Sequence, residues 1–368
     1  MARVETPNKI PLWTFDEKSR KILISETNKL RSLVKPLDVN SFKRKFFRHN
    51  SWGWSYRARA ALLSYEISRE KEHIEAVLDG ASYFSKLNEW ETWEKSSGKW
   101  FSEVTTAGLI ATPIADLLLL ANKDESAREL VAGQYRSLMD SVINGVSGFD
   151  HIFRTIDDSG YFLTPLDKNR VEALNHMAVY VAALSRLYEL TKDEKYRERV
   201  AEITRFWLSS TTLHDNNSLS WPYSPSPVEM HGIAENFWKA SVTIEIPIAA
   251  YRIGVVVTPE HLLQLQRTLT HNLFSDGYFK EMVNRIDGAV YVKSQTQIDR
   301  RRQRQREKAS VLSMWHMLDC YLTPTITLDD ELFRIDKNFF NSTSRSLYGV
   351  VSGLYAREGL CKDTLTRR

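Results

Sequence analysis

Helical stretches that are apolar on every side alternate along this chain with stretches that carry a single apolar stripe, and few folds accommodate that alternation. Ala173–Leu190 begins Ala-Leu-Asn-His-Met-Ala-Val-Tyr-Val-Ala-Ala-Leu, apolar all round except for Asn175 and His176. A helix of that kind is a buried one. Asp193–Ser210 is different: Tyr196, Val200, Ile203, Phe206 and Trp207 fall among charges, which is one stripe on a surface helix. The pattern predicts a buried inner helix, a tight Thr191-Lys192-Asp193 turn, and an amphipathic outer helix.

The same alternation recurs. Thr105–Asn122 reads as inner and Glu125–Val146 as outer. Phe237–Gly254 reads as inner and Pro259–Phe274 as outer. Trp54–Ile67 and Lys71–Leu87 form an earlier pair; Ala309–Leu322 precedes Leu328–Phe340, and Thr343–Glu358 closes the chain. The pairs recur at roughly 60-residue intervals, as in repeat architectures and closed helical toroids. Pro113-Ile114-Ala115 and Pro247-Ile248-Ala249 occupy similar places in two inner helices, where a proline kinks the helix. The expected fold is an all-α toroid of about six helical hairpins. Residues 1–368 form one domain, with 1–50 as a helical extension packing on it.

Long connections precede the inner helices: Asp157–Arg170, His214–Ala234 and Ser275–Gln297. They hold Tyr161, Phe162, Trp221, Tyr223, Tyr278 and Phe279, which is too aromatic for disorder. In a toroid all three crowd onto one face, which should carry the cleft. Strand patterns are scarce; Gly288–Lys293 alternates weakly and suits a short hairpin arm.

Composition bounds the remaining possibilities. The 42% hydrophobic content supports a sizeable core, and a formal charge of +4 does not by itself indicate nucleic acid. Arg300–Lys308 is a basic run without interleaved aromatics, read as a solvated helix start before contact with an acidic polymer. Cys320 and Cys361 make neither a disulfide framework nor a metal-site spacing. No apolar leader follows Met-Ala-Arg, so the chain as it stands reads as cytoplasmic, or as periplasmic or secreted with a leader removed. No run approaches the roughly 18 apolar residues of a membrane span. There is no phosphate loop, nucleophile elbow or zinc motif, and no cofactor is expected.

Polar residues gather where the inner helices begin. Glu103, Thr105 and Thr106 open one; Asn175 and His176 open the second; Glu235, Asn236 and Lys239 open the third. Trp221-Pro222-Tyr223 and Glu229-Met230-His231 lead into the third. Helix N-termini favour anions, so this end suits a carboxylate-bearing ligand. Each residue also has a purely structural explanation. Asn175 serves equally as a cap, His176 as a satisfied core histidine and Tyr180 as its packing partner. Trp221-Pro222-Tyr223 serves as loop packing, and Lys239 and Glu245 as partners of distant charges.

Asn175-His176 with Leu187-Tyr188-Glu189-Leu190-Thr191-Lys192-Asp193-Glu194-Lys195-Tyr196 resembles the central helix pair of α/α-toroid carbohydrate enzymes. Among these, it is most similar to the uronate polysaccharide lyases of the alginate and glucuronan type and to glucuronyl epimerases. Trp221-Pro222-Tyr223 and Glu235-Asn236-Phe237-Trp238-Lys239-Ala240 resemble the later segment, and the likeness spans Thr105 to Phe279. Such lyases use an Asn-His pair on an inner helix with a tyrosine. The resemblance implies Asn175, His176 and Tyr223 as catalytic residues, with Tyr180 as the alternative tyrosine. Trp221, Glu235, Lys239, Tyr180, His231, Arg154 and Glu103 are the substrate-binding candidates. Trp238 and Lys239 depart from the Tyr or His that related toroids often carry there.

The implied chemistry is metal-independent β-elimination on an acidic polysaccharide or oligosaccharide. Asn175, with Lys239 or Arg154, would neutralise the uronate carboxylate, usually the largest catalytic contribution. His176 or Tyr223 would take the C5 proton, and the tyrosine would protonate the leaving oxygen. The alternatives are an inverting glycoside hydrolase using two of Glu103, Asp150, Glu229 and Glu235, a uronyl C5-epimerase, and a toroid that only binds carbohydrate or protein.

Overall fold

The computed structural model describes residues 17–33, 44–88, 103–164, 170–225, 233–275, 278–284, 294–322 and 344–361. The protein is mostly helical, with a few very short strands. In chain order the helices are α1 Glu17–Leu33, α2 Arg44–Ser68, α3 Lys71–Asn88, α4 Val104–Lys123, α5 Glu125–Val131 and α6 Tyr135–Val146. They continue as α7 Leu174–Thr191, α8 Glu194–Ser209, α9 Phe237–Thr243, α10 Glu245–Arg252, α11 Pro259–Arg267 and α12 Gln295–Lys308. A 3-10 helix follows at Ala309–Cys320, and α13 is Ser344–Arg357.

The inner and outer assignments hold where the chain is described. From Leu174 to Leu187 every residue of α7 is buried except His176. On α8 only one side is buried, through Tyr196, Val200, Ile203, Phe206 and Trp207 among others. Lys192 makes the turn between them in a left-handed conformation, and Asp193 caps α8 by accepting from Lys195 N–H. The predicted Phe237–Gly254 helix is broken at Ile244, because Pro247 cannot donate back to the preceding turn. The predicted Glu125–Val146 helix is likewise split, by a turn containing Gly133. The predicted segment Leu328–Phe340 and the arm Gly288–Lys293 lie outside the described residues.

The inner helices pack in sequence and return on themselves. Helix α2 packs on α4, α4 on α7, and α7 on α9 and α10. Helix α9 packs on the 3-10 helix, which packs on α13, and α13 packs back on α2. Paired positions rise together, so neighbours run parallel. Gly108 meets Val179 and Tyr180, while Asp116 meets Arg186. Gly349 meets Ser313, while Gly353 meets His316. Helices α3, α6 and α8 lie outside this series, and α1 packs on α2 and α3. Helix α4 is apolar and long enough to cross a membrane by length and composition, contrary to the expectation that no run is, but it is buried among its neighbours.

Gly108 and Gly349 set the closest approaches to a neighbouring backbone. A Cβ at Gly108 would sit 2.5 Å from Tyr180 N and from the Val179 carbonyl. These are backbone atoms, so only a shift of a whole helix relieves the clash. Gly108→Ala is therefore expected to cost about 1–3 kcal/mol of stability, read from denaturant midpoints; an unchanged midpoint would mean the helices are not this close.

Three small antiparallel hairpins that the sequence patterns do not reveal straddle the starts of the long connections: Phe153–Ile156 with Ser159–Phe162, Thr212–Leu213 with Leu219–Ser220, and Phe274–Ser275 with Tyr278–Phe279. Cys320 and Cys361, read from sequence as making no framework, are bonded to each other with Cα atoms 5.2 Å apart. They lie 41 residues apart in the chain, and packing of the 3-10 helix on α13 makes them neighbours.

Candidate functional site

Helix α7 starts directly from extended chain. Glu172 N–H donates to Phe162 O, and Leu174 N–H donates to Tyr223 O at 3.1 Å. The residue before the helix is Ala173, which has no side chain to cap it. Glu172 is almost fully buried, and its Oε1 accepts from Ala173 N–H at 2.9 Å and from His176 Nδ1 at 2.8 Å. A carboxylate only accepts, so the ring proton sits on Nδ1 and Nε2 is left as the basic nitrogen. Glu172 is absent from the sequence-derived set. The signal that could have found it is its place four residues before His176, one helical turn away.

Asn175 is not the helix cap. It is 5% exposed, and its Oδ1 has no hydrogen-bond partner among the described residues. Thr105 Oγ1, in the first turn of α4, is likewise buried with no hydrogen-bond partner among the described residues. Unmet buried polar atoms are uncommon, and a bound water is one partner that would satisfy them.

A short ladder carries the rest of the site. Glu235 N–H donates to Trp221 O, Tyr223 N–H to Ile233 O, and Phe237 N–H to Glu281 O. Asn236 then caps α9 by accepting from Lys239 N–H. These bonds bring Lys239 Nζ to 3.3 Å from the centroid of the Tyr223 ring, a cation–π contact. Burial lowers the Lys239 pKa, partly offset by Glu235 nearby. Helix α12 continues toward this side: Arg301 bonds Glu281, and Lys308 lies 4.6 Å from the Trp238 ring centroid.

Glu235 is fully buried, and Trp221 Nε1–H donates to its Oε2 at 2.6 Å. Burial pushes its pKa up to about 8, against the smaller opposing effects of Thr243, Trp221 and Lys239. Its folded pKa therefore lies above the unfolded value. The folded chain binds more protons between about pH 4.5 and 8, so stability falls as pH rises through that window. Glu235→Gln keeps an acceptor for the indole and removes the ionisation. It is expected to match the parent near pH 4.5 and to exceed it at pH 8 by on the order of 2–4 kcal/mol. Denaturant unfolding at the two pH values reads this, and an equal pH slope in both proteins would contradict it.

Several expected site residues sit elsewhere. Trp221, a substrate-binding candidate with loop packing as its structural explanation, is 2% exposed and packs edge-on against Trp207. Its large ring is a core anchor for the ladder. Tyr180, the alternative catalytic tyrosine, is 4% exposed between Phe149 and Phe162, with its hydroxyl donating to Val146 O. That burial also raises its pKa, so it stays a protonated core residue. Arg154 is exposed on the first hairpin and donates to the carbonyls of His151 and Phe153. Glu103 precedes α4, where its carbonyl accepts from Ala107 N–H and its side chain makes no cap. His231 and Glu229 lie outside the described residues.

The opposite ends of the same helices hold a charged cluster. Arg59 Nη1 donates to both oxygens of Glu245, at 3.0 and 2.8 Å, and Nη2 donates to Tyr348 Oη at 2.8 Å. Tyr56 donates to Glu245 at 2.9 Å. Arg186 donates to Asp116 at 2.8 Å, and Arg252 to Glu189 at 2.8 Å. Burial opposes the Asp116 charge, but Arg186, Arg59 and Arg252 more than compensate and hold its carboxyl below its ordinary range. Glu245 is thus paired with a distant charge, as its structural explanation had it. Among the described residues, no group of three or more His, Cys, Asp or Glu side chains is arranged to hold a metal.

No family model matches the sequence, and no curated protein matches it. Among solved structures, the chain is similar to the Lin0763 protein of Listeria innocua, with a TM-score of 0.51 and 12% identity. The match covers 92% of this chain and 98% of that one, so what the two share is the course of the whole chain.

Proposed function

We infer that the protein is an α/α toroid whose inner-helix N-terminal face cleaves a uronic-acid-containing polysaccharide by β-elimination. The toroid is supported by the packing series from α2 through α13 and back to α2. The single observation that carries the chemistry is the pair at the start of α7. His176 is oriented by Glu172 with Nε2 left basic, beside the nearly buried amide of Asn175.

Asn175 Nδ2 and Lys239 Nζ supply donors for the uronate carboxylate, and neutralising that charge makes the C5 proton removable. His176 Nε2 takes the proton. Tyr223, tied by its carbonyl to Leu174 N–H and packed under Lys239, returns a proton to the departing O4. The carbon–oxygen bond breaks as the C4–C5 double bond forms, so the electrons balance within the substrate. Glu235 and Trp221 act beneath this layer by holding the ladder in place.

The test is incubation with alginate, glucuronan and other uronate polymers, following ultraviolet absorbance of the unsaturated uronate. Absorbance growth supports elimination. Inversion at C5 without absorbance points to an epimerase, and new reducing ends without absorbance point to a hydrolase. Binding with no product, unchanged by His176→Ala, points to a non-catalytic toroid. The Cys320–Cys361 bond is of a kind that persists in oxidising compartments, which favours a periplasmic or secreted location over the cytoplasm, where polymeric substrates are scarce.

A further inference from the structure

The charged cluster at the other end of the helices surrounds a cavity of about 150 Å³. Arg59, Asp116, Arg186, Arg252, Tyr321 and Tyr348 are among its walls, with Leu62, Leu119 and Met317 between them. Every inner segment of the packing series except the short α9 contributes. A cavity of this volume lined by aliphatic groups is large enough to admit benzene, and because it is open on one side it can take a six-membered ring whose outer substituents stay at the mouth.

The wall chemistry narrows the class. Arg59 pairs with Glu245, Arg186 with Asp116, Arg252 with Glu189, and Lys123 with Glu66. At the buried end, a charged ligand would have to displace a partner from Arg59–Glu245 or Arg186–Asp116 and leave a charge unmatched there. A neutral ligand need displace none. One position also calls for a hydroxyl. Arg59 Nε is buried with no hydrogen-bond partner among the described residues, and Asp116 Oδ2 lies 3.7 Å from it. That gap is too long for a direct hydrogen bond, but one hydroxyl oxygen can accept from Nε–H and donate to Oδ2. The tyrosine and aliphatic walls suit the C–H faces of a ring. We propose that this cavity is a second binding site, for a neutral polyhydroxylated molecule of monosaccharide size. It is independent of the elimination site on the opposite face.

Thermal unfolding of the full chain with D-glucose, D-mannose, D-galactose or myo-inositol tests this, with D-glucuronate as the charged comparator. At least one neutral probe is expected to give a saturable rise of about 2–4 °C, half-maximal at roughly millimolar concentration. Leu119→Trp, or Leu63→Trp from another wall, fills the cavity without touching an ion pair, and either should abolish the rise. Saturation-transfer NMR on the unsubstituted protein should carry magnetisation to the sugar C–H protons. Four results would overturn the proposal: no transfer from any neutral probe, a rise that never saturates, a rise equal in the filled variants, or a stronger response to glucuronate. The first would leave water as the occupant of the Arg59–Asp116 gap. Loss of uronate elimination in a His176 variant has no bearing on any of them, so the two sites fail separately.

Discussion

His176→Ala is expected to lower the rate of uronate elimination by about 10²–10⁴ while costing about 1 kcal/mol or less of stability. The asymmetry follows from the side chain's position. His176 is the one residue between Leu174 and Leu187 that is not buried, so its loss opens no core cavity. Among the described residues its ring bonds to Glu172, which keeps a second partner in Ala173 N–H. If Nε2 is the base, no neighbour replaces it when it is removed. Glu172→Ala should fall between the variant and the parent, because the imidazole remains but is no longer held in one orientation and tautomer. Its signature is a shifted pH profile, which a merely structural role would not produce. Undiminished absorbance growth in His176→Ala would remove the histidine from the chemistry and leave Tyr223 and Lys239 as the groups to test.

Arg59→Met is expected to destabilise the protein by about 3–5 kcal/mol, the usual cost of leaving one buried charge without its partner. Arg59 is 4% exposed and Glu245 is 2% exposed. Burial alone would lower the guanidinium pKa, yet Glu245, Tyr348 and Asp116 more than offset it and hold the pKa above its ordinary value. Its guanidinium carbon also lies 4.2 Å from the Tyr348 ring centroid. Without Arg59, Glu245 retains only the Tyr56 hydroxyl among these contacts. Replacing both partners, as Arg59→Leu with Glu245→Leu, should recover a large part of the loss, since no orphaned charge remains. Denaturant midpoints for the two single variants and the double variant measure the coupling. Additive losses would show that the pair is not the unit of stability.

The sequence carried the helices well because their evidence is local. The change from all-round apolar to single-stripe composition separates α7 from α8 without any tertiary information, and Lys192-Asp193 marks the turn between them. Breaks were less legible. The effect of Pro247 is local, but whether it kinks a helix or divides it depends on what packs behind Ile244. The hairpins were missed because strands of two to four residues are too short for an alternation to show. Asn175 and His176 stood out as polar residues in an apolar helix, and the structure gives each a distinct environment. Trp221 and Tyr180 were misplaced for one shared reason: an aromatic ring near polar residues looks the same in sequence whether it faces a cleft or the core.

Composition and periodicity by themselves determined that this chain is helical, which helices are buried, and where polar groups interrupt them. Those properties depend on the spacing of apolar residues along one helix. Only the tertiary structure decided which interruptions meet. Arg59, Asp116, Arg186 and Glu245 are single charges on four separate helices, with Arg59 and Glu245 186 residues apart, and no local pattern links them. Burial makes each costly alone, so the chain is stable only when packing brings opposite charges to the same level. The same packing joins Cys320 to Cys361 and sets Lys239 over Tyr223, because contacts distant in sequence are chosen by the way the helices close on one another.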